Sequence, residues 1–164
     1  MTLLNFTRLI LLSLWLGAAI FFSVAVAPAA FGVLRSFALP NASELAGSIV
    51  TRTLSIINIS GFLVAAFLLL TLFVRRVATG RIPLILEAVC VSLILVATGV
   101  GHWVIAARMR ALRAAMYLPI DQVPVDDARR VAFNSLHGYS VNALALAMIA
   151  ALIAIVIIAR GLRN

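Results

Sequence analysis

The sequence predicts an all-α integral membrane protein: a four-helix bundle with helical extensions beyond the bilayer on one face. Three observations carry this. The 164 residues are 65% apolar and 11% charged, with a mean hydropathy of +1.19, which leaves too little polar surface for a water-soluble domain of this size. Charge is absent from Arg8 to Arg35, from Arg52 to Arg75 and from Arg130 to Arg160, and only Glu87 interrupts the stretch from Arg81 to Arg108. Each interval exceeds the roughly 20 residues that a helix needs to cross hydrocarbon. The apolar runs also lack the period-2 alternation and short segment length of membrane strands.

The elements follow in order. The first span covers about 9–32. Ala25-Val26-Ala27 fits a small-x-small cleavage site, but the apolar run is too long for a signal-peptide core and Pro28 follows the cut, so a retained helix is expected, with Pro28 bending or ending it. Asn41 then stands as an N-cap with Glu44 three residues on, an Asn version of the capping box. It opens a helical piece over 42–52 that continues into the second span, 53–74. A helix from 42 to 74 is about 50 Å long, against a hydrocarbon core of about 30 Å. The third span, 83–107, likewise runs on through 107–116, where Ile105, Met109, Leu112 and Met116 form a stripe at helical spacing. Pro119 and Pro124 bracket a turn. Asp126 is placed to cap a short helix over 126–136 that leads into the fourth span, 138–159.

Four spans put both termini on one face. That face, A, receives Arg8, the 75–82 turn with Arg75, Arg76 and Arg81, and Arg160 and Arg163; face B receives the other seven of the 13 arginines. The counts decide nothing, but face A concentrates its arginines in very short segments, so face A is expected to be cytoplasmic, in a bacterial inner membrane. The net charge of +8 is distributed as membrane-flanking arginine, which points to the lipid bilayer rather than to nucleic acid. Cys90 stands alone, so neither an intramolecular disulfide nor a paired-thiolate metal site is expected.

Several stretches together resemble a known family. They are Trp15-Leu16-Gly17, Ala27-Pro28 with Phe31, Glu44 with Ala46-Gly47, and Phe133 with His137 and Ser140. In this order on a four-helix chain they resemble the transmembrane protein 205-like family, also described as domain of unknown function 4149. The resemblance covers nearly the whole chain and implies a four-helix integral membrane protein without an assigned reaction. Association of a eukaryotic member with platinum-drug resistance adds an expectation of metal or small-molecule handling. A more distant similarity leads to four-helix copper-resistance and haem-linked membrane proteins. His102 lies outside the family pattern.

Catalytic motifs are absent: there is no Walker loop, dinucleotide fingerprint, HExxH, nucleophile elbow or intramembrane carboxylate pair. The chain is therefore expected not to be an enzyme. Its polar residues instead gather toward face B, where Asn58, Ser60, Thr98, His137, Ser140 and Asn142 form a candidate cluster at the bundle mouth. Polar groups of membrane helices turn inward and find partners, so interhelical hydrogen bonding is the plain reading and a ligand site the sharper one. His102 ends the third span and His137 begins the fourth, at similar depth. A pair of imidazoles there suits a transition metal or haem iron, with Glu44 or Asp126 completing the set. His137 is expected to face inward and bond a neighbouring helix, with Gly138 letting that helix approach. Glu87 is expected to pair with Arg81 or Arg8 near face A. Trp15 needs a partner for its indole N–H, and Trp103 fits an interfacial belt. Gly17, Gly61, Gly99 and Gly101 are read as close helix contacts.

The functional expectation is a multi-pass protein that binds a small ligand or a partner protein through this polar mouth, with the cofactor unknown. The alternatives are a haem- or metal-binding redox protein using His102 and His137, and a transporter of small molecules or metal. Four helices make a poor solute path alone, so the transporter requires a homo-oligomer or a membrane-protein partner.

Overall fold

A computed structural model describes residues 2–75 and 81–163. Among them no residue is in a strand, and four helical rods are long and apolar enough to cross a membrane: Leu3–Ser36, Ala42–Leu72, Pro83–Ala115 and Ala128–Gly161. Most of the arginine-rich 75–82 turn falls on residues 76–80, which lie outside the described residues, as does Asn164.

The first rod is α1 (Thr2–Phe21), a π-helical turn π1 (Phe22–Val26) and α2 (Ala27–Ser36). Pro28 does not end it. Proline lacks an N–H and its ring collides with the carbonyl four residues back; π1 immediately precedes it, with the Ala27 N–H donating to Phe22 O five residues earlier, and this wider turn absorbs the conflict. The second rod is α3 (Ala42–Arg75) without interruption. The third repeats the plan of the first: α4 (Arg81–Gly99), a second π turn π2 (Val100–Ile105) and α5 (Ala106–Ala115). The fourth is α6 (Ala128–Arg163), so the piece expected at 126–136 is not a separate helix but the start of this rod. With 34 and 36 residues, α3 and α6 are about 50 Å long or more and outreach the bilayer core.

Helix α1 packs on α3 and α6, and α4 packs on the same two, giving the cyclic order α1–α3–α4–α6 with α1 and α4 on a diagonal. The interior is built from Leu12, Leu68, Val91, Ile94 and Ile158 among the alanines Ala65, Ala147, Ala151 and Ala154. Lipid offers no hydrophobic drive for helices to associate, so small residues that admit close backbone approach carry the packing. Val24, Leu63, Leu70, Ile85, Val96, Ile149 and Leu152 are exposed around the perimeter, where lipid covers them.

The caps on face B differ from the expected ones. The N-terminus of α3 takes its cap from a distance: the Ser43 N–H donates to Asp121 Oδ2 at 3.1 Å. Glu44, freed from a capping box, instead meets Arg113 of α5 at 2.5 Å. At the start of α6 the capping side chain is Asp127 rather than Asp126, with Oδ1 accepting from the Arg129 backbone N–H at 2.8 Å. Asp127 also holds the Arg129 guanidinium, which reaches on to Ala115 O at 2.6 Å. Asp121 and Asp127 thus each bond a backbone N–H at the start of a helix. Carboxylates serve helix termini, where unpaired backbone N–H groups favour negative charge. Ala38 and Tyr117, with φ of 51° and 56°, turn the chain sharply after α2 and α5.

Candidate functional site

Two polar layers cross the bundle. The layer toward face B is assembled around π2. There the N–H of Ala106 bonds Gly101 O, five residues back. The extra residue in that turn re-aims the side chains around it, a common device at functional sites. His102 sits on this turn, half-buried, and its Nδ1 lies 3.2 Å from Ser55 Oγ of α3. Three residues further along α3, and so on the same face, Asn58 is 5% exposed and lies against Gly101. A Cβ on Gly101 would come within 3.1 Å of the Asn58 amide nitrogen, so the glycine makes room for that amide. Trp103 closes the layer outward: its ring meets His102 edge to face at 5.0 Å and Phe62 at 4.8 Å. Its ring is 54% exposed on the outside of the bundle.

The other members of the expected cluster divide. Thr98 is buried, but its hydroxyl donates to Ile94 O at 2.7 Å within its own helix. Ser60 likewise donates to Ile57 O at 3.1 Å. That carbonyl also receives the Trp15 indole N–H at 2.9 Å, across from α1. Ser140 is buried on α6.

His137 and Asn142, by contrast, are exposed and do not face the bundle interior. Counting 3.6 residues per turn from the buried positions Ser140, Leu144, Ala147, Ala151 and Ala154, Asn142 points almost directly away from the core and His137 lies on a flank. Gly138 likewise has nothing within 4 Å of where its Cβ would stand, so no helix of the chain uses the space it leaves. The same is true of Gly17, whereas Gly61 and Gly99 do lie against the side chains of Trp15 and Phe62.

The second layer lies toward face A. Arg8 of α1 and Glu87 of α4 meet at 2.5 Å with side chains 0% and 2% exposed, and Arg8 Nη2 also donates to Leu68 O of α3 at 3.0 Å. Asn5, one turn before Arg8 on α1, is also buried. Of the two cations expected for Glu87, Arg8 meets it, and the Arg81 side chain lies outside what the structure describes. Ser55 and Asn5 were not among the expected site residues. Their signal was the helical spacing to Asn58 and Arg8, which places each on the inward face of its helix.

For metal chemistry the donor set is thin. Among the described residues no group of three or more His, Cys, Asp or Glu is placed to hold an ion. Glu44 is engaged by Arg113 on the face B projection. Outside the spanning segments, the Arg129 guanidinium and backbone N–H hold the Asp127 carboxyl down to about 2.

Four apolar rods with a buried ion pair on one side and a histidine-bearing polar layer on the other define a multi-pass α-helical membrane protein. The chain belongs to the family described as "Domain of unknown function (DUF4149)", whose profile matches residues 10–118, the first three rods. Neither the curated proteins nor the solved structures compared with the chain include a match.

Proposed function

We propose that this protein is a non-enzymatic membrane protein that binds a small ligand at the face B layer, through His102. The observation that carries the reading is the placement of His102 on a π-helical turn, half-buried, with Nδ1 oriented by Ser55 and a buried amide alongside. With one ring nitrogen so engaged, the imidazole's second nitrogen is available for a donor or acceptor on a ligand. The resemblance to the transmembrane protein 205-like family, resting on Trp15-Leu16-Gly17, Ala27-Pro28 with Phe31, Glu44 with Ala46-Gly47, and Phe133 with His137 and Ser140, supports a small-molecule role. So does the lack of any motif that would supply a catalytic nucleophile or phosphate cradle. The same reading places the protein in a bacterial inner membrane with both termini cytoplasmic, supported by the dense arginines of face A.

Native mass spectrometry of the purified protein tests the ligand. A small molecule retained by the wild type and lost in His102→Ala and Ser55→Ala supports the reading; identical spectra for all three overturn it. An absorbance scan of the same sample addresses the redox alternative, since a Soret band or bound copper or zinc would favour it. That alternative needs His102 and His137 on one metal, and the exposed flank position of His137 works against it. Reporter fusions after Asn164 and within 118–125 test the topology: a cytoplasmic 118–125 turn would reverse it.

A further inference from the structure

The outward face of α6 carries a polar group that a lipid environment does not satisfy. Arg130 and Arg160 stand thirty residues apart, about 45 Å of helix, and a hydrocarbon core of about 30 Å takes up some 20 of those residues. Wherever the core is set between these two arginines, residue 142 falls inside it. Asn142 is exposed there and makes no hydrogen bond among the described residues. Hydroxyls in the same surroundings solve this problem locally: Ser23, Thr53 and Thr71 each donate to a carbonyl one turn back on their own helix. A carboxamide carries two donors and two acceptor sites, and it needs a partner from outside its helix.

We propose that this partner is a second copy of the same chain, and that α6 is the seam of a parallel twofold dimer. An asparagine is complementary to itself, donating with its amide and accepting with its carbonyl. Across a twofold axis along the membrane normal, Asn142 therefore meets the Asn142 of the other copy with both needs answered. The surrounding surface fits that geometry. Gly138, one turn earlier, is exposed with nothing within 4 Å of its Cβ position, so two backbones approach closely there. Beyond Asn142 the outward line continues through Ala145, Ile149, Leu152 and Val156, of which Ile149, Leu152 and Val156 are 58%, 57% and 43% exposed. Ile149 and Val156 fall in heptad register with Asn142, and Leu152 falls in the alternate position. β-Branched residues and a single asparagine at one position, with leucine at the other, specify two parallel strands in register. The outward faces of α1 and α4 carry Ser13 and Ser92, hydroxyls that can bond their own helix, so neither demands an outside partner as Asn142 does.

Disulfide cross-linking in native membranes, in a Cys90→Ala background, tests the seam. Ile149→Cys and Leu152→Cys are expected to join two copies, and Ile85→Cys on α4 is not. Single-molecule photobleaching in liposomes then reads the equilibrium. Asn142→Leu is expected to weaken the dimer about tenfold and Asn142→Gln to retain most of it. Because residue 142 is exposed, neither change disturbs the fold of one copy. A monomeric wild type, cross-linking through Ile85 rather than Ile149, an undiminished dimer in Asn142→Leu, or a cross-link solely to a different membrane protein would each overturn the proposal.

Discussion

Arg8 and Glu87 meet across the diagonal of the bundle, Nη2 to Oε1 at 2.5 Å, with both side chains closed off from the surroundings. The same Nη2 donates to Leu68 O of α3, so one guanidinium ties three helices together. Removing one partner from a buried pair leaves the other charge uncompensated, which typically costs about 3–5 kcal/mol. Glu87→Gln or Arg8→Met alone is therefore expected to destabilise the bundle by that order, and Arg8→Met with Glu87→Leu to recover most of it. Reversible unfolding in mixed micelles measures this; a single variant within about 1 kcal/mol of wild type would show that the pair is not closed off as described.

Trp15 lies against Gly61, and the contact leaves no room for a methyl group. A Cβ at position 61 would fall 2.5 Å from the indole nitrogen. Gly61→Ala is expected to expel the ring, break its bond to Ile57 O and cost about 1–3 kcal/mol. In Trp15→Ala the same glycine substitution should be nearly neutral. Equal cost in both backgrounds would contradict the contact.

The cap of α6 should respond to acid. The Arg129 guanidinium, with its backbone N–H, lowers the Asp127 carboxyl from an ordinary 3.8 to about 2. A depressed value in the folded state means that the cap's contribution is complete above pH 3.8 and is lost as pH falls through about 2. Protection of residues 128–132 against hydrogen exchange, referred to the intrinsic rate at each pH, is expected to fall over that interval in the wild type, with no such step in Asp127→Asn.

Glu44 and Arg113 join the projecting parts of α3 and α5, but their side chains are 31% and 26% exposed. Solvent screening limits such a pair to about 0–1 kcal/mol. A double-mutant cycle with Glu44→Gln and Arg113→Gln should return a coupling in that range that fades with added salt. A coupling well above it would mean that the projection is drier than its exposure indicates.

The four spans were legible because charge-free length is a one-dimensional property, and lipid allows few ways to use it. Glu87 was legible for the same reason: an intramembrane carboxylate near a face must find one of very few cations. Azimuth was harder to read. His137, Gly138 and Asn142 were expected inward because they stand where hydrocarbon begins, but depth along a helix does not determine which side meets the core. That is decided by the small residues Ala147, Ala151 and Ala154, whose line passes through Ser140 and misses Asn142. The caps were misread for a related reason. Asn41 and Asp126 satisfy local rules, but Asp121, brought close by the fold, answers the start of α3 from a distance, and Asp127, anchored by Arg129, caps α6 one residue later. Of the two π turns, π1 is marked in the sequence by Pro28 alone, and π2 has no signature that local propensity detects.

The diagonal ion pair also dictates a sequence of events during synthesis. Arg8 belongs to α1, which is made before α4 supplies its counter-charge Glu87. Until then the guanidinium has no carboxylate to meet and must stay at the headgroups, holding the first helix shallow. Capture by Glu87 then draws that helix to its final depth. Assembly of the bundle is thus expected to be timed by insertion of α4, and a chain halted before that point is expected to keep α1 shallow at the surface.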